Sequence, residues 1–146
     1  MQRKQNMNLK IIFLLCILLN TSLVIAQEFP AHEDLYVNDF ANLFSENETK
    51  MIRNLLNELE RNTTAELVLV TISTSQPYTP QEYRTKLFSE WKIGKEDKDN
   101  GILILYALEE KRIEVETGYG MEGILPDSKL GRFLDNYYVP LRDEGK

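Results

Sequence analysis

The chain has 146 residues, of which 23 are acidic and 17 are lysine or arginine, so its net charge is −6 at pH 7. This charge argues against nucleic acid or anionic lipid as a partner and is compatible with cations. With one cysteine and one histidine, the composition offers little for disulfide, thiol or zinc chemistry.

The first 26 residues are organised as a signal peptide. A basic start precedes an apolar run at residues 11–19, and Ala26 offers a cleavage site before Gln27. We predict an exported protein, either periplasmic or secreted. The alternative is an uncleaved segment that anchors the chain in a membrane, although a span needs roughly 20 apolar residues. Cleavage would remove Cys16, three positive charges and no acids, so residues 27–146 would form one domain with net charge −9.

The first half of this domain alternates helix and strand patterns after a leader at residues 27–37. Ser45 and Thr79, each followed three residues later by glutamate, form capping boxes that predict the starts of two helices. The first ends near residues 62–64, and Gly94 suits the end of the second. Between them, residues 66–73 are almost continuously apolar, as in a strand covered on both faces. The apolar stripes of the two helices are Met51, Ile52, Leu55, Leu56 and Leu59, then Tyr83, Leu87, Phe88 and Trp91.

The second half adds a hairpin and a last helix. Strands are predicted over residues 102–108 and 112–117, joined by a tight turn and therefore antiparallel. Apolar residues then recur at helical spacing from Asp127, which predicts an amphipathic helix that ends before Pro140. The helix between the first two strands favours a parallel, right-handed crossover. The sequence thus predicts an α/β fold with a mixed, mostly parallel sheet that ends in an antiparallel hairpin.

Residues 118–123 spell G-x-G-x-x-G, the fingerprint of dinucleotide-binding folds. The surroundings contradict that interpretation. Glu122 would place a carboxylate inside the phosphate cradle, and Pro126 delays the helix that should begin at the last glycine. A glycine-rich loop flanked by acids instead favours a cation. Small residues there would let backbone carbonyls turn toward an ion while Glu122 lies on the rim.

With histidine and cysteine chemistry excluded, the composition leaves metal binding through oxygen ligands. His32 is the single histidine, and no serine or cysteine pattern near it supports a nucleophile pair. The acidic loop at residues 96–101 fails as an EF-hand because, counted from Asp97, its glycine comes at position 5 and Leu108 occupies position 12. A turn with solvated charges is the alternative for this loop. Carboxylates and carbonyls suit Ca²⁺ or Mg²⁺.

Two acid-bearing loops are expected at one edge of the sheet. Asp99 enters the strand at residues 102–108, and residues 118–123 follow its antiparallel neighbour, so the hairpin brings them to the same end. Asp39, ahead of the first helix, could reach the same rim, or it could be a local turn or cap residue.

Four ordered motifs, at residues 37–44, 91–94, 98–104 and 114–123, resemble the TPM-domain family. The resemblance covers residues 37–146. It implies a three-layer α/β/α sandwich, export or membrane tethering, and binding of a divalent cation, Ca²⁺ or Mg²⁺. It also implies a metal site at Asp39, Asp99, Glu122 and Asp127. Family domains continue past the residues found here at positions 142–146 into a further helix, which leaves open a C-terminally short domain and a partly uncovered sheet face.

Two functions of different classes follow. The first is an interaction module whose cation-loaded acidic groove docks on a membrane-protein partner or serves envelope protein quality control. The alternative is a metal-dependent acid phosphatase that acts on phosphomonoesters, as some plant thylakoid members of the family are described. A phosphate site normally carries an arginine or lysine clamp. The candidates that the sequence places near these loops are Lys98 and Lys129.

Overall fold

A computed structural model describes residues 29–143, apart from the side chains of Asp127, Leu141 and Arg142. The expected signal peptide lies outside the described residues. Within them, no helix is long and apolar enough to cross a membrane.

The centre of the fold is a four-stranded sheet in the order β1-β2-β3-β4. Strands β1, β2 and β3 are parallel, and β4 is antiparallel to β3, which confirms the mixed sheet. The strands are β1 (Val37–Asp39), β2 (Glu66–Ile72), β3 (Gly101–Ala107) and β4 (Arg112–Thr117).

Strand β1 was not predicted, because three residues around a polar centre give no readable alternation. Its central residue, Asn38, is buried and uses its side chain to organise the preceding loop. The Asn38 amide oxygen accepts the N–H groups of Glu33 and Asp34, both at 3.0 Å, and its amide nitrogen donates to the Asp34 carbonyl at 2.7 Å. From the sequence alone, an asparagine is typical of a loop. The hydrogen bonds that allow Asn38 to be buried in a strand are visible only in the structure.

The two long helices begin where the capping boxes predict. Helix α1 (Glu46–Thr63) is capped by Ser45, and helix α2 (Pro80–Trp91) by Thr79. Lys92, rather than Gly94, is the left-handed residue that ends α2, with φ 52°. Gly94 is needed for another reason: its φ is +106°, and a Cβ there would lie 2.6 Å from the Gly101 nitrogen.

The last helix does not stop before Pro140. It runs as α3 (Asp127–Phe133), a π-helical turn (Leu134–Tyr138) and α4 (Val139–Asp143). Proline is tolerated in the first turn of a helix, and the wide π turn makes Pro140 the second residue of a new helical segment. The prediction failed because a proline was assumed to end one uniform helix.

Helices cover both faces of the sheet, as in an α/β/α sandwich. On what we call the α2 face, Tyr83 and Leu87 of α2 belong to one buried cluster with side chains of β2 and β3. On the opposite α1 face, Leu67 of β2 packs against a smaller cluster that includes Ile102 and Met121. Strand β2 is apolar on both sides because both sides are covered.

Trp91 is half-buried at the end of α2, where its place in the apolar stripe of the helix predicts burial. Its indole N–H donates to the Pro30 carbonyl at 3.0 Å, and its ring stacks on His32 with centroids 4.5 Å apart. Phe29 meets Tyr83 edge-on at 5.0 Å. Residues 29–32 are therefore attached to the α2 face through aromatic contacts.

Candidate functional site

The loop at residues 118–123 packs back-to-back against the loop that precedes β3. The Gly118 N–H donates to the Gly101 carbonyl and the Gly120 N–H to the Asp99 carbonyl, both at 2.9 Å. A Cβ on Gly120 would overlap the Lys98 carbonyl and lie 2.9 Å from the Asp99 carbonyl, while one on Gly123 would meet nothing within 4 Å. Contact between two backbones, rather than an approach to an ion, thus explains the glycine at 120.

Asp99 is held at the centre of this junction. Its backbone is left-handed, with φ 49°, and its Oδ2 accepts the Tyr119 N–H at 3.2 Å. The next residue, Asn100, is buried; its side chain donates to the Thr64 carbonyl at 2.6 Å and accepts the Lys95 N–H at 3.1 Å. The exposed Asp99 carboxylate therefore projects from a loop that is fixed on both sides.

A polar cavity of about 770 Å³ lies beside this junction, between α2 and the end of β4. Asp99 and Glu122, which the sequence predicts as site residues, both line it, together with Glu116 of β4 and Arg84 of α2. The structure therefore brings two predicted carboxylates from separate loops to one cavity. It adds a third carboxylate and a guanidinium.

Arg84 forms the charged wall of the cavity. Its Nε lies 2.6 Å from Glu116 Oε2, and its Nη1 lies 3.4 Å from Glu114 Oε2. The Nε contact is an ion pair by distance, but the N–H is not directed at the oxygen well enough for a hydrogen bond. Thr85 makes the better-aligned contact, donating from its hydroxyl to Glu116 Oε2 at 2.7 Å.

Sequence reasoning named Lys98 and Lys129 as the basic residues near these loops and missed Arg84, which lines the cavity while neither lysine does. The alternation of Arg112, Glu114 and Glu116 along β4 places these charges on one face of the strand. That pattern was a usable signal for a charged strand face. Nothing local to α2 shows that Arg84 lies over that face, since only the packing of α2 on the sheet decides it.

The sequence profile of the TPM domain matches residues 37–146. The chain belongs to the TPM-domain family.

Solved structures agree with this assignment. The N-terminal domain of a protein from P. gingivalis is 30% identical, with a TM-score of 0.68, over 75% of this chain and 69% of that one. The N-terminal domain of a Corynebacterium glutamicum protein is 16% identical, with a TM-score of 0.52, over 68% of this chain and 63% of that one, and supports the fold alone. No curated protein matches.

Asp39 does not lie at the rim of the polar cavity that Asp99 and Glu122 line. Through the strand register it is level with Thr71 of β2 and Tyr106 of β3. Asp99 lies beyond the other end of β3, and five strand residues alone separate the two levels by roughly 16 Å. The expectation that Asp39 reaches the same rim is therefore wrong, and the alternative of a local turn residue describes it.

The Asp39 carboxylate closes the turn after β1. It accepts the N–H groups of Leu43 at 3.0 Å and Phe44 at 2.8 Å, and the Thr71 hydroxyl. Partial burial raises the pKa of Asp39, but the hydrogen bonds from Thr71, Phe44 and Leu43 outweigh it and hold the pKa below its ordinary value. Asp39 is thus an ionised residue with its oxygens already engaged.

The remaining predicted ligand, Asp127, is the first residue of α3, and its side chain lies outside what the structure describes. Pro126, just before it, lines the cavity. Among the residues that are described, no group of three or more histidine, cysteine, aspartate or glutamate side chains is arranged to hold a metal ion. Within the described part of the chain, the side chains of Asp39, Asp99 and Glu122 therefore do not form a preformed cage.

Proposed function

We propose that this TPM domain binds a divalent cation, Ca²⁺ or Mg²⁺, in the cavity that Asp99 and Glu122 line, and that the loaded groove docks on a partner protein. The carrying observation is the meeting of Asp99 and Glu122, 23 positions apart in the sequence, at one cavity. Carboxylates from separate loops that line one cavity repel each other, so a shared counter-ion stabilises them.

The available ligands favour a hydrated cation. Carboxylate oxygens suit Ca²⁺ and Mg²⁺, and Mg²⁺ in particular keeps several waters while one or two carboxylates hold it. Asp99 presents one carboxylate oxygen on a fixed loop, and Glu122 adds a second carboxylate to the lining of the same cavity. With so few protein ligands, we expect a dissociation constant in the range of about 0.1–1 mM, as in extracellular calcium modules.

Calorimetry and thermal melting test this proposal on residues 27–146. Addition of about 5 mM Ca²⁺ or Mg²⁺ should raise the melting temperature by mass action. Asp99→Asn should abolish the heat of binding and the shift. Asp97→Asn, which removes the same charge from the same loop but does not line the cavity, should retain both. Equal loss in the two variants would show a diffuse charge effect rather than a site.

A metal-dependent acid phosphatase is the second candidate, and Arg84 is the observation that favours it. A guanidinium beside two carboxylates could bind a phosphate oxygen, while a bound cation would supply charge neutralisation and an activated water. The ion pairs of Arg84 with Glu114 and Glu116 weaken this candidate, because they occupy the guanidinium. Turnover of p-nitrophenyl phosphate that needs a cation and is lost in both Asp99→Asn and Arg84→Gln would establish it.

Export and the nature of the partner are further parts of the proposal. The order of basic, apolar and small residues before Gln27 supports export, and N-terminal sequencing of secreted or periplasmic protein should begin at or near Gln27. An intact Met1 on cytosolic protein would contradict it.

The family resemblance supports a membrane protein or an envelope quality-control component as the partner. Crosslinking in intact cells, with and without chelator, should identify a cation-dependent product.

A further inference from the structure

A row of charged groups runs along the α2 face of β4 toward the polar cavity. Arg112, Glu114 and Glu116 alternate on this face of the strand. The next position on the same face is Gly118, whose N–H continues the pairing with β3. A Cβ on Gly118 would lie 2.9 Å from Asp99 Oδ1, so the Asp99 carboxylate takes the place of the missing side chain. Asp99 therefore ends the row, about 7 Å along the strand from the level of Glu116.

Positive charge is shared unevenly along this row. Glu114 contacts two guanidinium groups, with Arg112 Nη2 at 2.9 Å and Arg84 Nη1 at 3.4 Å. Among the described side chains, Glu116 contacts one guanidinium, through Arg84 Nε at 2.6 Å, and Asp99 contacts none. Of the described residues that line the cavity, Arg84 alone is basic. Arg84 therefore determines how much negative charge Glu116 presents to the cavity.

The contact between Arg84 and Glu116 is one that can open. The Arg84 Nε–H is not directed at Glu116 Oε2. If Glu116 turns away, Arg84 keeps its contact with Glu114, so the guanidinium is not left buried without a counter-charge. The Glu116 side chain is also the more exposed of the two glutamates, at 24% against 12% for Glu114. Glu116 can therefore exchange Arg84 for another cation, whereas Glu114 is held from two sides.

We propose that Arg84 competes with the divalent cation for Glu116 and thereby sets the affinity of the cation site at Asp99. This inference rests on the proposed function and states how that site is regulated. The number of charged ligands tunes calcium affinity, and Glu116 is the carboxylate next to Asp99 in the row. While Arg84 pairs with Glu116, that carboxylate is withheld from the site, and the guanidinium also repels a nearby cation. Among the described residues, Asp99, Glu116 and Glu122 do not surround one point as metal ligands would, as expected when Arg84 draws Glu116 aside.

Calorimetric titration of the processed chain from Gln27 with Ca²⁺ or Mg²⁺ tests this competition. Arg84→Gln should lower the dissociation constant at least about tenfold, because it frees a carboxylate and removes a positive charge. Arg84→Lys keeps the charge and should stay within about threefold of wild type. Lys86→Gln is the matched control, since Lys86 lies on the same helix over the Tyr78 ring and does not line the cavity. It should change the constant less than about twofold. Thermal melts establish that each variant is folded.

A double-mutant cycle with Glu116→Gln shows whether Arg84 acts through Glu116. In the Glu116→Gln background, Arg84→Gln should lower the dissociation constant no more than about threefold, because only repulsion across the cavity remains. Equal tightening in both backgrounds would overturn the proposal, since Arg84 would then act by its charge alone. Weaker binding in Arg84→Gln would also overturn it, because the guanidinium would then support the site.

The wild-type protein gives an independent readout by ¹⁵N NMR of the arginine Nε–H groups. The Arg84 signal should shift during the cation titration, with the same dissociation constant that the heat of binding gives. A signal that stays unchanged at saturation would refute the competition and leave the cation site standing. If neither the wild type nor any variant binds a cation, the site itself is refuted, and the role of Arg84 with it.

Discussion

Replacing Gly120 by alanine should destabilise the domain far more than the same change at Gly123. At Gly120 the new Cβ would lie closer than 3.0 Å to the carbonyl oxygens of both Lys98 and Asp99. These are backbone atoms that cannot rotate away, so one of the two loops must shift. At Gly123 the new methyl group would meet nothing within 4 Å.

The expected cost at Gly120 is about 2–3 kcal/mol, the upper part of the range for inserting a methyl group into a tightly packed site. For a domain of this size that lowers the melting temperature by roughly 10 °C. Gly123→Ala should lie within about 1 kcal/mol of wild type, with stabilisation favoured because alanine restricts the unfolded chain. Urea denaturation followed by the fluorescence of Trp91, the single tryptophan, measures both.

The same pair separates the two explanations of the glycine motif. If the glycines served mainly to turn carbonyls toward an ion, Gly120→Ala would weaken cation binding and leave the apo stability unchanged. Equal apo stability of the two variants would refute the backbone-contact explanation. A loss confined to Gly120→Ala, present without added cation, supports it.

Three further predictions concern single residues. Trp91→Ala should cost about 2–4 kcal/mol in chemical denaturation, below a fully buried tryptophan, because the ring is half-buried and bonded to Pro30; a loss under 1 kcal/mol would contradict that packing. Asp39→Asn should cost about 1–3 kcal/mol at pH 7. The folded pKa of Asp39 lies below its ordinary 3.8, so the stabilisation is complete above pH 3.8 and is lost as the pH falls through the folded pKa. The denaturation curves of wild type and Asp39→Asn should therefore converge in acid. Glu110→Ala should cost about 2–3 kcal/mol at pH 7, because one Glu110 oxygen lies within 3.0 Å of the Ser75 N–H and hydroxyl; an unchanged midpoint would contradict it.

Local signals predicted much of the fold. The starts of α1 and α2 follow from Ser45 and Thr79, because a capping box is complete within four residues. The hairpin of β3 and β4 follows from a short turn between two apolar runs, and its register brings Asp99 beside Gly118. Each of these features depends on residues that are close in the sequence, so it can be predicted from one sequence alone.

Relations through the sheet were not available in the same way. Asp39 was placed at the wrong end because β1 is three residues long and went unrecognised. Because β1, β2 and β3 are all parallel, the end of β1 and the start of β3 lie at opposite ends of the strands. Arg84 was missed for a similar reason, since the packing of α2 against β4 depends on the tertiary fold. Pro140 shows that a local rule can also fail when a π turn intervenes.

Chemical-shift mapping by ¹⁵N NMR of residues 27–146 during a Ca²⁺ or Mg²⁺ titration tests the cation site most directly. Saturable shifts should centre on the amides of residues 98–101 and 117–123, vanish in Asp99→Asn, and persist in Asp39→Asn at a temperature where that variant is folded. An absence of saturable shifts up to about 10 mM cation, or shifts centred on residues 39–44 that only Asp39→Asn removes, would contradict the proposed site.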